Sequence, residues 1–141
     1  MLTSARNQFL GTVSAIKAGP VNAEVDIAVG SDTLVAVVTH DSVVNLGLKI
    51  GADVYAMVKA SWVIIAPENG GMRFSTRNRL CGKVTKVVKG MVNSEVLLTL
   101  DGGSEVSAIV TNESVTGLSL AEGVRTCALF KATSVILGVK A

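Results

Sequence analysis

Histidine occurs once in this 141-residue chain, as His40, and cysteine twice, as Cys81 and Cys127. Nucleophile–base pairs and transition-metal sites draw mainly on these residue types, several at a time. A supply this sparse argues against a metal-ligating cluster and against catalysis, and no carboxylate cluster makes up for it. Aromatic residues are only 4%, namely Phe9, Tyr55, Trp62, Phe74 and Phe130. Single-stranded nucleic acid is held by aromatic stacking platforms in basic grooves, so a nucleic-acid-binding barrel is a weak rival reading.

Charge is also scarce, at 17% of residues with a formal net charge of +2, and implies no polyanionic partner by itself. Residues 1–70 carry four basic and six acidic side chains, net −2, and residues 71–141 carry nine and five, net +4. That asymmetry reads as a solubility feature. Apolar runs such as residues 62–66 are far too short to span a bilayer, and no signal peptide is evident at the start. The two cysteines lie among apolar residues without metal-site spacing. They read as buried free thiols, which fits a reducing compartment. A soluble cytoplasmic protein, with no membrane partner, is expected.

What the chain has is repetition. Ser4-Ala5-Arg6-Asn7-Gln8-Phe9-Leu10-Gly11 returns as Ser75-Thr76-Arg77-Asn78-Arg79-Leu80-Cys81-Gly82, a shift of 71. One residue is gained in a turn, and the shift is then 72. Thr39, Ser42, Gly51, Lys59 and Ala60 meet Thr111, Ser114, Gly123, Lys131 and Ala132. Two copies of one unit follow, at residues 1–68 and 73–141, joined by a Pro/Gly-rich linker. Each copy is small for independent stability, so burial against the other copy or another chain is expected.

Val, Ile, Thr and Ala dominate short apolar runs, which favours strands. In the first copy strands are predicted at 9–16, 22–29 and 33–38, then a short helix after Thr39, then a long strand at 53–66, bent near 60–61. The second copy repeats this order, with its helix at 111–118. The class is all-β: two tandem small OB-like barrels, each with one short helix, or else small open meanders. Strand edges left over favour oligomers.

One group recurs in both copies and suits an anion. It is Ser4, Arg6, Thr39, Ser42 and Lys59, matched by Ser75, Arg77, Thr111, Ser114 and Lys131. Arginine offers a fork of N–H donors to oxyanion oxygens and lysine a compact charge. Thr39 and Ser42 stand three apart at a helix start, so both hydroxyls can face one point beside free amides. Lys59-Ala60-Ser61 and Lys131-Ala132-Thr133 set a hydroxyl two residues after the lysine, on one face if the segment is a strand. His40 is replaced by Thr111 or Asn112 in the second copy, depending on where the gap is placed, and is read as a surface loop residue.

These residues resemble the Mop (TOBE-type) molybdate-binding domain. The resemblance rests on Ser-Ala-Arg-Asn-Gln with Gly11, Thr39-x-x-Ser42, Leu46-Gly47-Leu48-x-x-Gly51 and Lys59-Ala60-Ser61, and covers nearly the whole chain. It implies tandem Mop domains that bind molybdate or tungstate through hydrogen bonds, for molybdenum storage or homeostasis, without catalysis or a catalytic cofactor. It implies that Ser4, Arg6 and Lys59 bind from one domain while Thr39 and Ser42 approach from another. Val25 and Ala60 would contribute backbone contacts. Ser75, Arg77, Thr111, Ser114, Lys131, Val96 and Ala132 would do the same in the second copy, with Ser61 and Thr133 beside the lysines. It further implies a homotrimer presenting six domains, with extra anion sites near its axis, for which residues 19–22 and 90–93 are candidates. A molybdate-sensing regulatory module is the alternative, though this chain carries no helix-turn-helix signal.

Overall fold

The computed structural model describes residues 2–141. The first repeat runs β1 (Asn7–Ala18), β2 (Asn22–Val29), β3 (Asp32–Thr39), α1 (His40–Asn45), β4 (Asp53–Val58), a 3-10 turn (Ala60–Trp62) and β5 (Ile64–Ala66). The second runs β6 (Asn78–Lys89), β7 (Asn93–Leu100), β8 (Glu105–Thr111), α2 (Asn112–Gly117), β9 (Arg125–Phe130), a 3-10 turn (Ala132–Ser134) and β10 (Ile136–Gly138). The predicted order is present, but the long strand expected at 53–66 is broken by the 3-10 turn into β4 and β5, which lie in different sheets, and the first strand is longer at each end than its apolar run suggested.

Alternation decides which way each strand faces. In β2 the side chains of Ala23, Val25, Ile27 and Val29 are buried while those between them are half-buried or exposed. A bulge in β1 between Val13 and Ala15, and one in β6 between Val84 and Lys86, shifts the register by one residue in each long strand. Such bulges bend a strand and increase its twist. Gly11 and Gly82 recur for a packing reason: a Cβ at either position would run into the backbone carbonyl of Ala28 or Thr99 on the neighbouring strand.

Two five-stranded antiparallel sheets result, in the orders β10-β4-β1-β2-β3 and β5-β9-β6-β7-β8. Within each, the first and last strands approach one another without pairing, so the sheet curls into a partly open barrel. The compact units divide the chain differently from the repeats. One unit holds the chain up to Val58 together with Lys131–Ala141, and the other is Lys59–Phe130. Each sheet takes its short edge strand from the other repeat: β10 pairs with β4, and β5 with β9. The 3-10 turn after each ladder ends one sheet and sends the chain on to complete the other.

The cysteines overturn one expectation. Cys81 and Cys127 are register partners on β6 and β9, with Cα atoms 4.0 Å apart, and they form a disulfide. The reading as free thiols fails because pairing sets the two side chains opposite each other, and the argument from free thiols to a reducing compartment lapses with it.

Candidate functional site

β3 ends at Thr39, whose backbone is extended at φ −70° and ψ 153°, and α1 begins there. Thr39 Oγ1 accepts the Ser42 N–H at 3.1 Å, and the two hydroxyl oxygens lie 2.8 Å apart. Thr111 and Ser114 repeat both distances at the start of α2. Each pair of hydroxyls holds two protons, and their mutual hydrogen bond uses one. The second proton can point outward to an acceptor. The free amides expected beside them are fewer than the sequence suggested. The His40 N–H goes to the Val21 carbonyl at 2.8 Å and the Asn112 N–H to Val92 at 2.9 Å.

The basic residues are placed by a buried asparagine. Asn7 is paired with Val58, is 2% exposed, and donates its side-chain amide to the Val58 carbonyl at 3.2 Å. Arg6 immediately precedes this closing pair and Lys59 immediately follows it. Asn78, also buried, pairs with Phe130, and Arg77 and Lys131 adjoin that pair in the same way. All four basic side chains are exposed, as are Ser4 and Ser75. The recurrence of asparagine at 7 and 78 was visible in the sequence, but its role at the end of a ladder was not.

Lys59-Ala60-Ser61 and Lys131-Ala132-Thr133 are not the extended segments expected. Each forms the start of a 3-10 turn, with the lysine as its first flanking residue, and not a strand with lysine and hydroxyl on one face. The Trp62 N–H bonded to the Lys59 carbonyl at 2.9 Å, and the Ser134 N–H bonded to Lys131 at 2.9 Å, close these turns. Ala60 and Ala132 are buried, while Ser61 and Thr133 are exposed. Val25 and Val96 are wholly buried on central strands, so they offer only backbone atoms.

Strand exchange also redistributes the recurring set. The turn after Lys59 packs against β8, which leads into Thr111, and the turn after Lys131 packs against β3, which leads into Thr39. The unit Lys59–Phe130 therefore holds Lys59, Ala60 and Ser61 with Ser75, Arg77, Val96, Thr111 and Ser114. The other unit holds Lys131, Ala132 and Thr133 with Ser4, Arg6, Val25, Thr39 and Ser42. In the former, a groove of about 280 Å³ is walled by Thr111 and Ser114 with Asn93, Val63, Ile65 and Ile109.

The two sets are not identical. Lys59 Nζ lies 5.3 Å from the centre of the Trp62 ring, a cation–π distance, whereas Ser134 occupies the corresponding place after Lys131. In the second repeat Asn112 stands where the first has His40. Its side chain donates to the Gly90 carbonyl at 3.0 Å and accepts from Ser94 Oγ at 2.5 Å. The turn at residues 90–93, one of the expected axial candidates, is thus tied to α2 by side chains. Among the described residues no three His, Cys, Asp or Glu gather as a metal-ligand set, and no helix is long and apolar enough to cross a membrane. The chemistry on offer is hydrogen-bond donation, neutral and charged, to an oxyanion.

The model of the TOBE domain matches residues 3–65 and 75–137. The molybdenum transport protein ModE of Azotobacter vinelandii is 44% identical over 140 residues, covering 99% of this chain and 52% of that protein. The molybdenum-pterin-binding protein MopA of Rhodobacter capsulatus is 41% identical over 140 residues, covering 99% and 53%. The chain thus spans about half the length of the curated relatives it matches. A crystal structure of the cytoplasmic molybdate-binding protein ModG, with molybdate bound, superposes with a TM-score of 0.95 at 50% identity, covering 99% of this chain and 100% of that one.

Proposed function

The chain belongs to the TOBE domain family, and from that premise we propose that it is a binder of molybdate and tungstate, serving molybdenum storage or homeostasis in the cytoplasm. The observation that carries this reading is the duplicated polar set. The Thr–Ser cap has the same geometry in both repeats, and an arginine and a lysine adjoin a closed ladder end in each. Likeness to ModG supports the choice of anion.

Arg6 and Arg77 provide forked donors, Lys59 and Lys131 point charges, and Ser4, Ser75, Ser42, Ser114, Thr39 and Thr111 neutral donors. Ser61 and Thr133 stand by the lysines, and Val25, Val96, Ala60 and Ala132 join through backbone atoms. The anions lie at interfaces between domains of a homotrimer, and the protein performs no catalysis. A second reading, a molybdate-sensing module, is favoured by likeness to proteins named as ModE transcriptional regulators.

Equilibrium dialysis against molybdate, followed by molybdenum analysis and native mass, tests the proposal. Stoichiometric molybdenum on a species of three chains is the expected result. Protein that emerges without molybdenum would overturn it.

A further inference from the structure

Strand exchange poses a question that the apolar pattern does not answer. β5 and β10 are similar three-residue strands, Ile64-Ile65-Ala66 and Ile136-Leu137-Gly138, and β4 and β9 are equivalent strands of the two repeats. Hydrophobicity alone lets either tail seat on either sheet.

Charge does distinguish them. In the observed pairing Ala66 faces Cys127, so two further steps set Glu68 opposite Arg125. Arg125 grips Glu68 through Nε at 2.7 Å and Nη2 at 2.9 Å, and Arg79 donates to the Glu68 carbonyl at 2.9 Å. In the other sheet the ladder ends where Gly138 faces Tyr55, and the same two steps carried past that end would bring Lys140 opposite Asp53. Lys140 and Asp53 line one groove there with Leu10, Tyr55 and Val139. The two positions are equivalent in the repeats, yet their signs are reversed. If each tail seated on its own repeat's sheet, Glu68 would oppose Asp53 and Lys140 would oppose Arg125. Like charges directly opposite in an antiparallel pair are destabilising, and discrimination built on repulsion needs such a mismatch in the wrong arrangement.

We infer that the pairs Glu68–Arg125 and Lys140–Asp53 form a charge code that directs each tail to the other repeat's sheet. The code explains why charges occur at these four positions, three exposed and Glu68 half-buried, in a chain with few charges. It acts by matching the exchanged pairing and opposing the unexchanged one.

Cross-strand contacts measured by NMR on the full chain read the arrangement directly. Exchange gives Leu137–Ala56 and Ile65–Ala128 contacts, and its absence gives Leu137–Ala128 and Ile65–Ala56. The wild type is expected to show only the first set. Glu68→Lys with Lys140→Glu opposes both exchanged pairs and matches both unexchanged ones. It should shift the ratio toward the second set by about tenfold or more, the scale open to two exposed pairs changing sign together. Glu68→Lys with Arg125→Glu leaves each arrangement equally matched over the two sheets and should give both sets. Reversing all four charges restores the code, and only the exchanged contacts should return. Exchanged contacts alone in Glu68→Lys/Lys140→Glu would overturn the inference. So would a mixture, or failure to fold, in the fourfold variant. If Glu68→Lys/Lys140→Glu does not fold but the fourfold variant does so with exchanged contacts, the code stands.

Discussion

Asn7 donates its side-chain amide to the Val58 carbonyl at 3.2 Å, closing the β1–β4 ladder just after Arg6 and just before Lys59. A buried polar side chain at the last pair of a ladder fixes where the strands part, and so where the flanking basic residues start. Asn7→Ala removes the donor and leaves a buried carbonyl without it. The expected cost is about 1–3 kcal/mol of stability, read from urea unfolding. Molybdate affinity should fall too, since Arg6 and Lys59 lose their anchored neighbour. Unchanged stability would mean that the asparagine is incidental.

Trp62 is the sole tryptophan and lies beneath the Lys59 ammonium at 5.3 Å. If Lys59 turns to an anion, the cation leaves the ring and the indole emission changes. Molybdate should therefore alter tryptophan fluorescence in the wild type and in Lys131→Ala, but not in Lys59→Ala. A signal that survives Lys59→Ala and disappears in Lys131→Ala would misplace the contact.

Arg125 binds two carboxylates at once, Glu68 and Asp101, with the Asp101 oxygens both at 2.8 Å. Hydrogen bonding to Arg125 holds both carboxyls below their ordinary values, and the same bonds hold the guanidinium above its own. A carboxyl with a depressed folded value stabilises the fold above its unfolded value and loses that contribution as pH falls through the folded one. Acidification below about pH 4 should therefore loosen the seat of β5, seen as lower amide protection at residues 64–66 relative to the intrinsic exchange rate at each pH. Arg125→Gln should return both carboxyl titrations to the ordinary range. Protection at 64–66, corrected for the intrinsic rate, that stays constant from pH 6 down to 3 would contradict the pairing.

Much of this architecture is legible in the sequence. The repeat gives the number of units. Alternation of Val25, Ile27 and Val29 gives the face of β2, and Thr39 with Ser42 marks the start of the helix. What is hidden depends on long-range pairing. Cys81 and Cys127 are 46 residues apart and become partners only through the β6–β9 register. The Lys-Ala-Ser segment reads as extended because no glycine or proline marks its turn. The exchange of β5 and β10 is invisible to hydrophobic pattern, since the two tails carry nearly the same one. The signs at Asp53, Glu68, Arg125 and Lys140 separate them, but only once the register is known. The site is affected in the same way. Its residue types are readable from the repeat, whereas the grouping of Lys59 with Thr111 and Ser114 in one compact unit follows from the exchange.

The central claim is that this duplicated set binds molybdate, and calorimetry on the wild type beside three variants tests it most directly. Molybdate should give saturable heat and sulfate far less, because converging donors leave the oxygens of a smaller tetrahedral ion out of hydrogen-bond reach. Arg6→Ala should weaken the sites it serves by about 1–3 kcal/mol and Ser42→Ala by about 0.5–1.5 kcal/mol, the scales of charged and neutral hydrogen bonds. Arg6→Ala combined with Arg77→Ala should lose both subsets of sites and remain folded and assembled. No heat with molybdate, equal heat with sulfate, or full stoichiometry and affinity in the double arginine variant would contradict the account.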